Sequence, residues 1–311
     1  MSNASILCMF IIVVGGGVEA APPQFTAITP SSGYVKVGEP SSFTLTFSDA
    51  EGANDLVFVQ MLIHTTLNGE GACYVAFDRA TNKVILDDGW LDPQTNQVAS
   101  NSRCTLFAAG SSIQRNGNYL TITWSVSFAS TFAGPKTVWV LGYDGVTLAG
   151  WYAVGSLIID RQPVFLSLTP NTGYFAAQTF SVVIGDPDGF QDIAFVQILI
   201  NSSLTGTGAC YISYDRGSNT FSTSTVGCTL YPAMSYATAS GLTLTVNFAV
   251  QFTSGFDGIK NVYTLAADYA NWWAGWNLSG TYQVPHFTPV SRLANQVPLG
   301  INQISAHRLS W

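Results

Sequence analysis

Apolar and polar residues alternate with a period of two through much of this chain. Phe43, Leu45 and Phe47 alternate with Thr44, Thr46 and Ser48, and Leu120, Ile122, Trp124, Val126 and Phe128 with Thr121, Thr123, Ser125 and Ser127. Leu244, Val246, Phe248, Val250 and Phe252 continue the pattern. Alternation of this kind buries one face of a strand and wets the other, as antiparallel sheets do. Clusters of Gly, Asn and Ser at residues 115–118, 239–241 and 254–255 separate the runs and supply the backbone freedom that turns need. No segment beyond the apolar N-terminus sustains a helical period, so the expected fold class is all-β.

The pattern is written twice. Asp49-Ala-Glu51-Gly-Ala-Asn-Asp55 is matched by Asp186-Pro-Asp188-Gly-Phe-Gln-Asp192. Each is followed by an apolar run and then by Gly-Ala-Cys-Tyr, ending at Tyr74 and at Tyr211. The offset between Asp49 and Asp186 equals that between Cys73 and Cys210, whereas Cys104 and Cys228 lie closer together. The first copy therefore carries extra residues between its cysteines, around 87–101, where a surface loop is expected. Both copies open on Thr-Pro followed by Gly-Tyr (Tyr34, Tyr174) and close on an Asp (Asp144, Asp268) and then Ala-Gly-Trp (Trp151, Trp276). The boundaries that follow are residues 23–160 and 161–284, joined through Asp160-Arg-Gln-Pro163, with a tail at 285–311 that matches neither copy. A short joint containing proline favours a semi-rigid connection. Two tandem antiparallel β-sandwiches of the immunoglobulin or fibronectin type, with seven to nine strands each, fit these lengths.

Composition places the molecule. Charged residues make up 9% of the chain and the net charge is -7, so no basic surface exists to neutralise phosphates and nucleic acid is not an expected partner. Residues 1–20 read as a signal peptide: an apolar stretch from Ile6 to Val14, three glycines, then Val18-Glu-Ala20 as a small-residue cleavage site. The apolar stretch is shorter than the ~20 residues a membrane span needs, so no span is expected in the mature chain. Loss of Cys8 with the signal leaves four cysteines, two per copy. An even count in a secreted chain implies disulfides, and the repeat pairs Cys73 with Cys104 and Cys210 with Cys228.

The Ser-Asp-x-x-Gly turn at 48–52 (with Gly185 in place of the Ser in the second copy), the Ala-Cys-Tyr triplets and the late Ala-Gly-Trp, in the same order in both copies, resemble the immunoglobulin-like repeats of secreted and surface proteins of soil bacteria. The resemblance covers about residues 25–284. It implies an extracellular module and supplies no activity. The shorter segment between the cysteines of the second copy departs from the longer form in the first.

Three sets of residues carry candidate chemistry. The acidic turns place Asp49, Glu51 and Asp55, or Asp186, Asp188 and Asp192, around a glycine, and Asp144 and Asp268 are expected at the same end of each sandwich. Several carboxylates on flexible loops suit calcium, although the spacing is not that of an EF-hand; the competing reading is that each Asp holds its own turn by bonding backbone N–H groups. Trp272 and Trp273 have no counterparts in the first copy and are candidates for stacking on a sugar, whereas Trp151 and Trp276 recur and read as packing residues. Asp78-Arg79 and Asp215-Arg216 read as turns with a local ion pair. The histidines are His64, His286 and His307, and no hydrolase or metalloprotease motif is present. The expectation is a non-enzymatic, secreted or cell-surface structural or adhesive protein whose partners are proteins or glycans outside the cell; a carbohydrate-binding protein using Trp272 and Trp273 is the alternative. The tail, with Val297, Leu299 and Ile301 in alternation, offers self-association at a sheet edge.

Overall fold

The computed structural model describes residues 20–286. Among them there is no α-helix; 23 strands and two single-turn 3-10 segments make up the fold. The first half contains β1 (Gln24–Thr29), β2 (Ser32–Lys36), β3 (Ser41–Ser48), β4 (Phe58–His64), β5 (Cys73–Asp78), β6 (Lys83–Leu86), β7 (Gly89–Leu91), β8 (Val98–Ser100), β9 (Cys104–Asn116), β10 (Tyr119–Phe128), β11 (Gly134–Tyr143) and β12 (Leu148–Asp160). The second contains β13 (Val164–Thr169), β14 (Thr172–Tyr174), β15 (Ala177–Gly185), β16 (Ile193–Asn201), β17 (Cys210–Asp215), β18 (Thr220–Thr223), β19 (Cys228–Leu230), β20 (Tyr236–Ser240), β21 (Thr243–Phe252), β22 (Gly258–Asp268) and β23 (Trp273–Val284).

Strands pair only within their own half. The first half has a sheet β1-β3-β10-β9-β8 and a sheet β2-β12-β11-β4-β5-β6-β7. The second has β13-β15-β21-β19, with β20 also on β21, and β14-β23-β22-β16-β17-β18. Pairings are antiparallel except where β2 meets β12 and β14 meets β23. The halves have separate apolar cores, each drawing on both of its sheets. The alternating residues are the ones buried: Phe43, Leu45, Phe47, Ile122, Trp124 and Val126 in the first half, and Phe180, Val246 and Phe248 in the second, have no exposed surface. Each such side chain is worth about 1.5–3 kcal/mol of burial. Trp124 also satisfies its indole N–H, which donates to the Ala76 carbonyl at 3.3 Å.

Both disulfides are present, Cys73–Cys104 and Cys210–Cys228. Each ties one sheet of its half to the other, since Cys73 and Cys210 lie on β5 and β17 and their partners on β9 and β19. Covalent links of this kind fit an oxidising compartment.

Strands outnumber the seven to nine expected per copy for two reasons. The chain entering each half divides between both sheets, as β1 and β2 or β13 and β14. The extra residues between the first pair of cysteines also form β7 and β8 rather than an open loop, and these three-residue strands are too short to show alternation. Residues 1–19 and 287–311, where the signal peptide and most of the tail were assigned, lie outside the described residues.

Candidate functional site

The acidic turns fold as local backbone traps. Asp49 Oδ1 accepts the Glu51 N–H at 2.9 Å, and Asp186 Oδ1 accepts the Asp188 N–H at 2.8 Å. The turns close with Asp55 N–H on the Gly52 carbonyl and Asp192 N–H on that of Gly189. Both glycines have positive φ, 118° and 114°, which L-residues rarely adopt. Asp268 Oδ1 accepts the Trp272 N–H at 2.7 Å; Asp144 Oδ1 accepts the Val146 N–H at 2.7 Å, and its Oδ2 the Thr147 hydroxyl. One oxygen each of Asp49, Asp186 and Asp268, and both of Asp144, hold turns in this way. The other oxygen of Asp49, Asp186 and Asp268 is buried and has no hydrogen-bond partner among the described residues.

Carboxylates converge, and they do so differently in the two halves. In the first half, carboxylate oxygens of Asp49, Asp55 and Asp144 lie within 4.8 Å of one another. Glu51 stands outside this group and accepts the Ala21 N–H at 3.4 Å. In the second half the corresponding group is Asp160, Asp188 and Asp192, again within 4.8 Å. Asp160 is the last residue of β12 and so belongs to the first half. Its side chain has no exposed surface, and neither of its carboxylate oxygens has a donor. Asp192 Oδ2 is unpartnered as well.

Burial sets the electrostatics. It pushes the Asp160 carboxyl up to about 9, with the neighbouring Asp192, Asp268 and Asp188 adding to the shift. Asp186 rises to about 7 and Asp268 to about 6, burial again leading and Asp192 contributing to both. Asp49 rises to about 6 through burial, against the lowering effect of its bond from Glu51. Three cations border the second group, and one of them, Lys136 of β11, lies within electrostatic range of Asp188. Arg161 grips Asp188 through Nε and Nη2, at 3.1 and 2.9 Å, and its own backbone N–H donates to Asp188 Oδ2 at 2.6 Å. Lys36 of β2 reaches across from the first half, its Nζ donating to the Asn271 carbonyl at 3.2 Å.

The other sequence candidates divide. Trp272 is half-buried beneath Lys36, whose Nζ lies 5.5 Å from the ring centroid. Trp273 is 45% exposed; its indole N–H donates to Asn271 Oδ1 at 2.7 Å, and it meets Phe195 edge to face. Trp151 and Trp276 pack at 5.9 Å against Tyr74 and Tyr211 respectively. Asp78 and Asp215 hold turns through Thr81 and Ser218. Arg79 bonds to the Asn54 and Asp55 carbonyls of the acidic turn, and Arg216 to the Ile193 carbonyl, so each Arg pins a turn from another element rather than pairing with the Asp beside it. The sequence reading missed Asp160, Lys36 and Arg161. Asp160 ends an apolar run, Leu157-Ile-Ile159, and the strand registers match it to Pro285 in the second half, so the repeat gave no sign of it.

No protein-family model matches this chain, and no curated protein sequence matches it.

Proposed function

We propose that the chain is a non-enzymatic, secreted or cell-surface protein of two tandem immunoglobulin-like sandwiches, serving as a structural or adhesive module. The observation that carries this reading is the joint. Only Arg161, Gln162 and Pro163 separate β12 from β13; Lys36 of the first half bonds to Asn271 of the second, and the joint residues Arg161 and Gln162 are tied down on the second half by Asp188 and by the Trp273 carbonyl at 2.7 Å. A short, braced joint between two disulfide-stapled cores suits a part that holds partners at a fixed spacing. Fractionation of cells producing the full chain tests the reading. The protein is expected outside the cell or on its surface with both disulfides formed; recovery in the cytoplasm with four free thiols overturns it. Glycan binding is the second reading, and the exposed face of Trp273 supports it. A glycan array probed with the full chain and with Trp273→Ala separates the two, since sugar recognition requires a signal that the substitution removes.

A further inference from the structure

We propose that Asp160, Asp188 and Asp192, with Asp186 and Asp268 in electrostatic range, form a calcium site that spans the joint and fixes the two halves relative to each other. The ligand set is all oxygen, with no Cys or His in the group, so it suits a hard cation rather than zinc or copper. The spacing suits a single ion. Calcium–oxygen distances of about 2.4 Å place ligand atoms on opposite sides of the ion about 4.8 Å apart, and oxygens from the three aspartates lie within 4.8 Å of one another.

The acidic cluster alone would not make a site, because aspartates at turns have work of their own. Asp160 supplies the independent observation. It holds no turn and is wholly buried, and both its oxygens lack a donor. An unpaired buried carboxylate is costly, and the side chains that act on Asp160 are other carboxyls, that of Asp192 at hydrogen-bond range first among them. Oδ2 of Asp192 is orphaned too, as are those of Asp186 and Asp268, whose carboxyls interact electrostatically with Asp192. Five carboxyl groups are answered by the guanidinium of Arg161, which stays on Asp188 and leaves about one lone pair free there, by Lys136 in range of Asp188, and by Lys36 at the margin. A divalent ion supplies the missing charge. Calcium fits better than magnesium, because a site this dry requires the ion to shed its water, which magnesium does reluctantly.

The consequence is mechanical. Asp160 ends the last strand of the first half, while the other four carboxylates belong to the second, so an ion held by both sides closes the joint. The stiffening role, not the binding itself, rests on the tandem reading proposed above.

The test is titration of calcium chloride into the chelator-treated full chain, followed by calorimetry, with magnesium in parallel. Binding is expected in the range of about 0.1–1 mM that extracellular modules show. Asp160→Asn and Asp192→Asn are each expected to weaken it by at least the roughly 10-fold that loss of even an outer-shell partner costs. No binding to the wild type up to about 10 mM, well above that range, overturns the proposal, and so does undiminished binding by a folded Asp160→Asn. Because a variant can misfold, the wild type carries a second measurement. Terbium bound at the site is expected to luminesce by transfer from the nearby Tyr34 and Trp272 and to be displaced by calcium; absence of sensitised emission counts against the site. Small-angle scattering reads the stiffening. Calcium is expected to narrow the distribution of distances between the halves, and an unchanged profile despite binding removes the mechanical role. A metal-free chain that unfolds as one cooperative unit refutes the tandem reading instead, without altering the binding result.

Discussion

At the residue scale, the carboxylates at the joint make the metal-free protein sensitive to pH in an unusual direction. Asp160, Asp186 and Asp268 have folded-state values near 9, 7 and 6, above the ordinary 3.8. The folded state therefore holds more protons than the unfolded state across this range. Stability from these groups is fully present below about pH 4 and is lost as the pH rises through their folded values. In chelator, the melting temperature is expected to fall between about pH 5 and pH 9, and Asp160→Asn to be more stable than wild type at pH 9 by at least about 1 kcal/mol. Added calcium is expected to reverse that order. A chelated wild type that grows more stable over the same interval contradicts the assignment. The sequence showed the turn aspartates plainly, because the glycine between them and their recurrence mark the turns. It could not show Asp160, whose significance comes from its position in space and not from a motif.

At the element scale, two features recur in both halves that neither alternation nor composition revealed. Ser111 has no exposed surface; its hydroxyl donates to the Phe107 carbonyl at 2.7 Å and accepts the Ser125 N–H at 3.1 Å. Ser235 does the same between the Tyr231 carbonyl at 2.9 Å and the Ala249 N–H at 3.0 Å. Each hydroxyl takes the place of a missing strand-to-strand bond. Ser111→Ala and Ser235→Ala are expected to destabilise by about 1–3 kcal/mol, the cost of a buried donor left unpaired, and urea unfolding measures it; an effect below about 0.5 kcal/mol would be that of an ordinary surface change. The parallel strand pairs make the second demand. A Cβ at Gly155 would lie 2.3 Å from the Ser31 carbonyl oxygen, and one at Gly280 would lie 2.2 Å from that of Asn171. Gly155→Ala and Gly280→Ala are expected to push β2 off β12 and β14 off β23 at a cost of about 1–3 kcal/mol, seen as faster hydrogen exchange in β2 or β14. Unchanged protection would show that the backbone yields freely. The long strands were legible because one face is buried and the period is clean. These serines and glycines were not, since a Ser among serines and a Gly among glycines carry no pattern of their own.

At the scale of the whole molecule, the repeat predicts two similar halves and a short joint; strands pair within residues 24–160 and within residues 164–284. What the sequence concealed is how the halves meet, because the contacts join residues far apart in the chain: Lys36 with Asn271 and Trp272, and Gln162 with Trp273. They lie among polar and half-buried groups, so their removal should loosen the joint without opening either core. A cation over an aromatic ring contributes about 0.5–1 kcal/mol at an exposed site, and a hydrogen bond about as much. The pair Lys36→Ala and Gln162→Ala therefore removes roughly 2 kcal/mol from the joint, while most of the stability of each half stays in its own core. In chelator, the double variant is expected to show a broader distribution of distances between the halves by small-angle scattering and faster cleavage by protease at residues 160–163. Its melting profile should stay close to that of the wild type. With calcium present, the difference in scattering is expected to shrink, because an ion gripping Asp160 together with Asp188 and Asp192 restores the constraint that the two lost contacts supplied. A double variant that scatters and is cleaved like the wild type in chelator would contradict the bracing role given to Lys36 and Gln162.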